Sequence, residues 1–230
     1  MQFEPTGGNR LHLFADGDEA FAAADEAMRT ARRRIWLETY IYEPDDVGNA
    51  VRDRMVDAAV RGCDVILIFD RWGSPRIDAD YVKPIIDAGG RVAMFNPLIP
   101  WRRIGRKIAP FRHRDHRKML ITDDAAFCGG SNVSTDYGGP GPEKFYDLVL
   151  RVEGPAVRDV SSVFLETFRR IAPAADTSLG HNAADPTDAT DVDAADATDF
   201  DAPTLRKADA REATVRVLAL DHRSGREDLA

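Results

Sequence analysis

Asp64-Val-Ile-Leu-Ile-Phe-Asp70 decides the fold. Five consecutive apolar residues between two aspartates have the length of a strand, and no polar position in the run offers a face to water. Such a strand is covered on both sides, as in sheets with helices packed on each face. The neighbouring sequence supplies those helices. Upstream, Asp46–Gly62 places Val47, Val51, Met55, Ala58 and Ala59 at helical spacing and stops at Gly62. Before it, Arg34–Tyr42 is β-branched and aromatic, which predicts a strand. Asp16-Gly-Asp-Glu opens a helix to about Arg33, acidic in its first turn and basic in its last, after a short strand at Leu11–Phe14. Downstream, Ile77–Ala88 reads as a helix stopped by Gly89-Gly90, and Arg91–Asn96 as the next strand.

This alternation predicts an α/β fold with a mixed, largely parallel sheet sandwiched between helices. The pattern then changes. His116–Thr122 and Ala125–Cys128 read as strands joined by a tight turn at Asp123-Asp124, and Phe145–Val152 as another. A helix follows over Pro155–Ile171, with Pro155 in its first turn. The expected domain is residues 1–171.

Charge separates that domain from the rest of the chain. The 230 residues carry a formal net charge of −8, and eight aspartates lie within residues 172–205, which hold no lysine, arginine or glutamate. Residues 1–171 are therefore nearly neutral. Residues 172–213, rich in Ala, Asp, Thr and Pro, predict a disordered acidic linker. Residues 214–230 repeat the strand-then-acidic-helix pattern of residues 10–21 and predict the start of a truncated second repeat. No apolar stretch approaches the ~20 residues of a membrane-spanning helix. The first residues lack the basic and apolar regions of a signal peptide, so the expected location is cytoplasmic. Cys63 and Cys128 make no disulfide framework and read as small core residues.

The chemistry concentrates in His116-Arg-Lys118-Met-Leu-Ile-Thr-Asp123, followed by Gly129-Gly130-Ser131-Asn132. On a strand His116 and Lys118 share a face, ~6–7 Å apart. Imidazole can act as nucleophile or acid–base near neutral pH, while an ammonium neutralises charge on phosphate oxygens. Asn132 adds a donor beside a Gly-Gly turn where backbone can approach closely. Residues 101–118 hold eight basic side chains against one acid, interleaved with Trp101, Ile104, Ile108 and Phe111. Arg102, Arg103, Arg106, Lys107, Arg112 and Arg114 thus form a candidate contact for anionic lipid headgroups or other phosphates. Asp70, before Arg-Trp-Gly-Ser, reads as a turn former, and Glu38 either supports the histidine or makes a structural hydrogen bond.

The run resembles the HxK(x)4D motif of the phospholipase D superfamily with its trailing Gly-Gly-x-Asn, and its surroundings are similar to the N-terminal half of bacterial cardiolipin synthases. Asp16-Gly-Asp-Glu, Leu37-Glu-Thr-Tyr-Ile-Tyr, Phe69-Asp-Arg-Trp-Gly-Ser, Phe95-Asn-Pro and Glu153-Gly-Pro-Ala-Val recur in the family's order across residues 9–171. The resemblance implies a phospholipase D-like fold and a phosphatidyltransferase that uses phosphatidylglycerol at the membrane surface, peripherally bound, with no cofactor and no metal. His116, Lys118 and Asp123 would be catalytic, with a phosphohistidine at His116 and Asp123 mainly structural. Gly130, Ser131 and Asn132 would meet the substrate, and Asp147 falls where the family places an acid that orients histidine. Two departures stand out. Five residues separate Asp123 from Gly129 where the family usually has six, and one motif is present where the family's site pairs two. The second would come from a homodimer mate or from a C-terminal half. The alternatives are a homodimeric phosphodiesterase, phospholipase or nuclease, or an inactive membrane-binding half-protein. The matches outside the motif favour lipid over nucleic acid.

Overall fold

The computed structural model describes residues 3–95, 114–139, 144–172 and 213–217. These contain β1 (Thr6–Phe14), α1 (Gly17–Thr30), β2 (Arg34–Thr39), α2 (Asp46–Val60), β3 (Asp64–Asp70), α3 (Ala79–Asp87) and β4 (Arg91–Phe95). After them come β5 (Met119–Ile121), β6 (Ala125–Gly129), β7 (Val149–Glu153), α4 (Ala156–Ile171) and β8 (Ala213–Val215). All eight strands form one sheet in the order β4-β3-β2-β5-β6-β7-β1-β8.

The sheet is mixed and lies between helices, as the alternation predicts, but its parallel part is smaller than expected. Only β2, β3 and β4 run parallel, and the pairings from β2–β5 through to β1–β8 are all antiparallel. The reason is topological. Crossovers through α2 and α3 set each strand beside its predecessor, whereas β5, β6 and β7 intervene between β2 and β1. The two-residue turn at Asp123-Asp124 then leaves β5 and β6 no choice but to run antiparallel. Residues 213–215, expected near the start of a second repeat, pair with β1 at the edge of this sheet. The acidic stretch lies outside the described residues.

Side-chain alternation assigns the two faces. Ile35, Leu37, Val65 and Leu67 pack in the core that includes Met28 of α1, Met55 of α2 and Ile85 of α3. Trp36, Ile66, Ile68 and Ile121 pack with Val160, Phe164 and Phe168 of α4 on the other side. Trp36 stacks on Phe164 with ring centroids 5.5 Å apart. Burying a side chain such as Phe164 contributes about 1.5–3 kcal/mol. Asp16, read as a helix start, caps α1 with its side chain, and Asp45 and Asp78 cap α2 and α3 in the same way, closing free N–H groups.

Asp123 ties the two halves of the sheet together. Its carboxylate accepts from the backbone N–H of Arg32 (2.8 Å), Arg33 (3.0 Å) and Arg34 (2.9 Å), fixing the α1–β2 connection to the β5–β6 turn. Charged acceptors make the stronger class of hydrogen bond. Asp123→Ala is expected to lower stability by about 1–3 kcal/mol, read from the midpoint and slope of urea unfolding. An unchanged midpoint would show that the connection holds itself without this carboxylate.

Candidate active site

The parallel strands β2 and β3 end side by side, and residues 114–118 run across those ends before β5 begins. Ligands in open α/β sheets gather at carboxyl ends of this kind. Regular strand starts only at Met119, three residues later than His116, yet residues 114–118 still alternate. Asp115 and Arg117 turn inward. Arg117 reaches the Glu38 carboxylate (2.9 Å), the Asp115 carboxylate (3.1 Å) and the Thr167 hydroxyl of α4. His116 is exposed between them.

Asp70 fastens the start of the segment. Its carboxylate accepts from the N–H groups of Trp72 (2.8 Å) and Gly73 (3.2 Å), which makes the turn expected of it, and from that of Asp115 (3.4 Å). Arg114 lies over the Trp72 ring at 4.9 Å and 3.9 Å from Asp70, so this candidate lipid contact is partly held by the protein itself. Arg102, Arg103, Arg106, Lys107 and Arg112 lie outside the described residues.

Glu38 is 1% exposed. Burial raises its carboxyl well above the ordinary range, and the neighbouring Asp115 raises it further. For Asp115 burial acts upward as well, but bonds with Glu38 and Arg117 outweigh it and hold this carboxyl low. Burial and the second carboxylate thus favour the protonated form of Glu38, while the guanidinium favours the ionised form of Asp115. Asp115 precedes His116 in the chain, and its carboxylate accepts from the Arg117 N–H at 3.3 Å, so the residues on either side of His116 are held together.

His116 and Lys118 converge on Tyr40. The imidazole and phenol centroids are 4.9 Å apart, and Lys118 Nζ lies 5.4 Å from the Tyr40 centroid while donating to the His116 carbonyl at 2.8 Å. Burial, and then the Lys118 charge, lower the His116 pKa from its ordinary value. Burial also lowers that of Lys118, opposed by Asp147 and Asp115. Both effects favour the neutral imidazole beside a buried cation, which suits nucleophilic attack at an anionic phosphorus centre.

Asn132 is buried, its Oδ1 accepting from the Ile41 N–H (3.0 Å) and its Nδ2 donating to the Tyr137 hydroxyl (2.7 Å). These bonds fix its amide beside the strand end that carries Tyr40. Thr135 is tied to the α2 cap through its N–H, 2.7 Å from Asp45. Asp147 closes over Gly130, where a Cβ would meet its carboxylate oxygens at 2.1 and 2.3 Å, and that carboxylate accepts from the Leu148 N–H at 2.7 Å. Its charge acts on Lys118. Asp123, in contrast, lies at the other end of β5, bound to backbone. The structure thus gathers His116, Lys118, Gly130, Ser131, Asn132 and Asp147 at one end and leaves Asp123 out. Among the described residues no three His, Cys, Asp or Glu side chains cluster as a metal site.

Sequence reasoning did not single out Tyr40, Tyr137 or the pairing of Asp115 with Arg117. For Tyr40 a signal existed, since it follows the last strand residue at the polar end of Arg34–Tyr42. The Asp115–Arg117 role depended on Glu38 and Thr167, which are remote in sequence.

Comparison with known proteins fits this geometry. The chain is 34% identical over 169 residues to cardiolipin synthase B of Salmonella typhimurium, covering 73% of this chain and 40% of that protein. Identity is 35% over 161 residues with cardiolipin synthase B of Escherichia coli K12, covering 69% and 38%, and 32% over 159 residues with cardiolipin synthase 1 of Bacillus anthracis, covering 67% and 30%. The chain therefore spans about two-fifths or less of the curated relatives it matches. No family model matches. Among solved structures, phosphatidylserine synthase of Haemophilus influenzae shares the fold with a TM-score of 0.57 at 14% identity, covering 74% of this chain and 38% of that one. NucT from Helicobacter pylori gives 0.51 at 16%, covering 72% of this chain and 98% of that one.

The His116 imidazole is expected to titrate below the ordinary value of about 6.5, as followed by the ring-proton shifts in NMR. Lys118→Met removes a positive neighbour and is expected to move that midpoint upward. A midpoint at or above the ordinary value in the unmutated chain, or one unmoved by Lys118→Met, would contradict the electrostatic description.

Proposed function

From its place in the phospholipase D superfamily, as a chain similar to the cardiolipin synthases, we propose that the protein is a phosphatidyltransferase acting on phosphatidylglycerol through a phosphohistidine at His116. The observation that carries the reading is the His116–Lys118–Tyr40 cluster, in which the imidazole stands beside a lysine held against a ring and a carbonyl. His116 attacks phosphorus and the bond to the glycerol headgroup breaks, the glycerol oxygen taking up a proton. Lys118 and the Asn132 amide hold the non-bridging oxygens. A second lipid's hydroxyl then gives up its proton, displaces His116 and accepts the phosphatidyl group. Asp115, Arg117 and Glu38 touch no substrate in this scheme and act as positioning residues.

The proton on the departing glycerol needs a partner acid. In the proposed enzyme it comes from a second copy of the motif, supplied by a homodimer mate or by a C-terminal half. The proposed enzyme works in peripheral contact with an anionic membrane. Trp72 and Tyr146 are exposed by 58% and 82% around the site, and rings with a polar edge settle at a headgroup interface. No described helix is long and apolar enough to cross a membrane.

One observation favours a second reading, a phosphodiesterase working as a homodimer. The shared fold spans 98% of the solved NucT chain, so one such domain can make up almost a whole protein. Incubation with phosphatidylglycerol liposomes, followed by mass spectrometry of the lipids, separates the two. Cardiolipin is expected from the unmutated chain, with a loss of at least about 10²-fold in His116→Ala. Phosphatidic acid alone would assign hydrolysis, and product formation unaffected by His116→Ala would remove His116 from the chemistry.

A further inference from the structure

We propose that the groove between α1 and α2 is the binding site for one fatty-acyl chain of the phospholipid whose phosphate sits at Lys118. The inference rests on the phospholipid reading above and extends it to a part of the fold away from the reacting atoms. A cavity of about 280 Å³ lies between the two helices and the sheet. Met28, Val51, Leu37, Leu120, Phe127 and Val149 line it, so its walls are apolar and are contributed by both helices and by four strands. Interiors pack to the density of organic crystals, and an interior space of this size is a departure from that rule.

Most polar groups on the lining, Glu38 and Thr39 among them, lie at the sheet end, and Asp25 lies at the helix opening. Lys118, Ser131 and Asn132 stand together at the sheet end, where the Gly129 N–H meets the Lys118 carbonyl at 3.4 Å. Leu120 and Phe127 face one another one rung further along β5 and β6, two residues from that polar end, ~7 Å away. Along α1 the lining runs from Ala20 to Met28, ~12 Å of helix. A ligand that fills both parts is anionic at one end and unbranched and apolar for the rest, which is the chemistry of a phosphate ester with an acyl chain.

Small residues keep the groove open. Ala24 on α1 and Ala50 on α2 line it where the helices reach solvent, Ala50 being exposed. Asp25 and Arg54 join the helices by an ion pair at 2.6 Å beside this opening, which holds them at a fixed spacing. The sequence run Phe21-Ala-Ala-Ala-Asp-Glu-Ala-Met28 gives α1 its weak, Ala-rich face here. A larger side chain at position 50 would fill the opening without entering the packed core.

The test uses the full chain carrying His116→Ala, so that bound lipid is not consumed. Its affinity for soluble phosphatidylglycerols below their micelle concentration is measured by titration calorimetry. Dihexanoyl is expected to bind about tenfold more tightly than dibutanoyl, from two extra methylenes entering the groove. Adding Ala50→Phe is expected to bring that ratio close to one. Photolysis of a phosphatidylglycerol with a diazirine at the chain end needs no second substitution and should label peptides from residues 20–28 and 47–51. A ratio near one before Ala50→Phe, a ratio that survives it, or labelling confined to other peptides would overturn the groove. If labelling falls in the groove while the unmutated chain neither transfers nor hydrolyses, the site holds lipid and the catalytic reading alone is wrong.

Discussion

The site depends on one half-buried guanidinium. Arg117 joins Glu38 of β2, Asp115 of its own segment and Thr167 of α4, and so fixes residues 114–118 across the strand ends. Burying charges in this way is costly, and removing one partner leaves the others uncompensated. The cost is limited here because the guanidinium faces both carboxylates and burial favours the protonated form of Glu38. Once Arg117 and Asp115 are held inward, alternation leaves His116 outward, and Tyr40 and Lys118 complete its surroundings. The histidine's outward position thus follows from a backbone restraint placed on its neighbours.

That arrangement separates two tasks often assigned together to an HxK(x)4D motif. Its His and Lys stand at one end of β5, and its Asp stands at the other, bound to the N–H groups of residues 32–34. The aspartate sets the register between β2 and β5, and that register brings Tyr40 over His116. The lipid reading gains coherence from the same geometry, because Lys118 belongs both to the cluster around His116 and to the lining of the α1–α2 groove.

Much of this was legible in the residues. The apolar run at 64–70, the capping Asp16 and the glycine stops place the elements from β1 to β4 within a few residues, because each signal is local. The antiparallel majority was not, since strand order depends on which edges remain when the helices have packed, and the turn at Asp123-Asp124 is the single local hint. His116 and Lys118 stood out by spacing, and both reach the site. Regular strand nevertheless begins after Lys118, since Asp115 and Arg117 bond to side chains where a strand would bond to its neighbour's backbone. Tyr40 and Tyr137 escaped notice because an aromatic at a strand end or in a loop looks the same whether it packs or binds. Only the fold puts them beside His116 and Asn132.

The central claim is that His116 takes up the phosphatidyl group. Mixing the full chain with excess phosphatidylglycerol, quenching within the first turnover and digesting for mass spectrometry tests it directly. The account predicts an acid-labile phosphatidyl adduct on the peptide containing His116, absent from His116→Ala. Turnover without that adduct, or an adduct on a different residue, would contradict it.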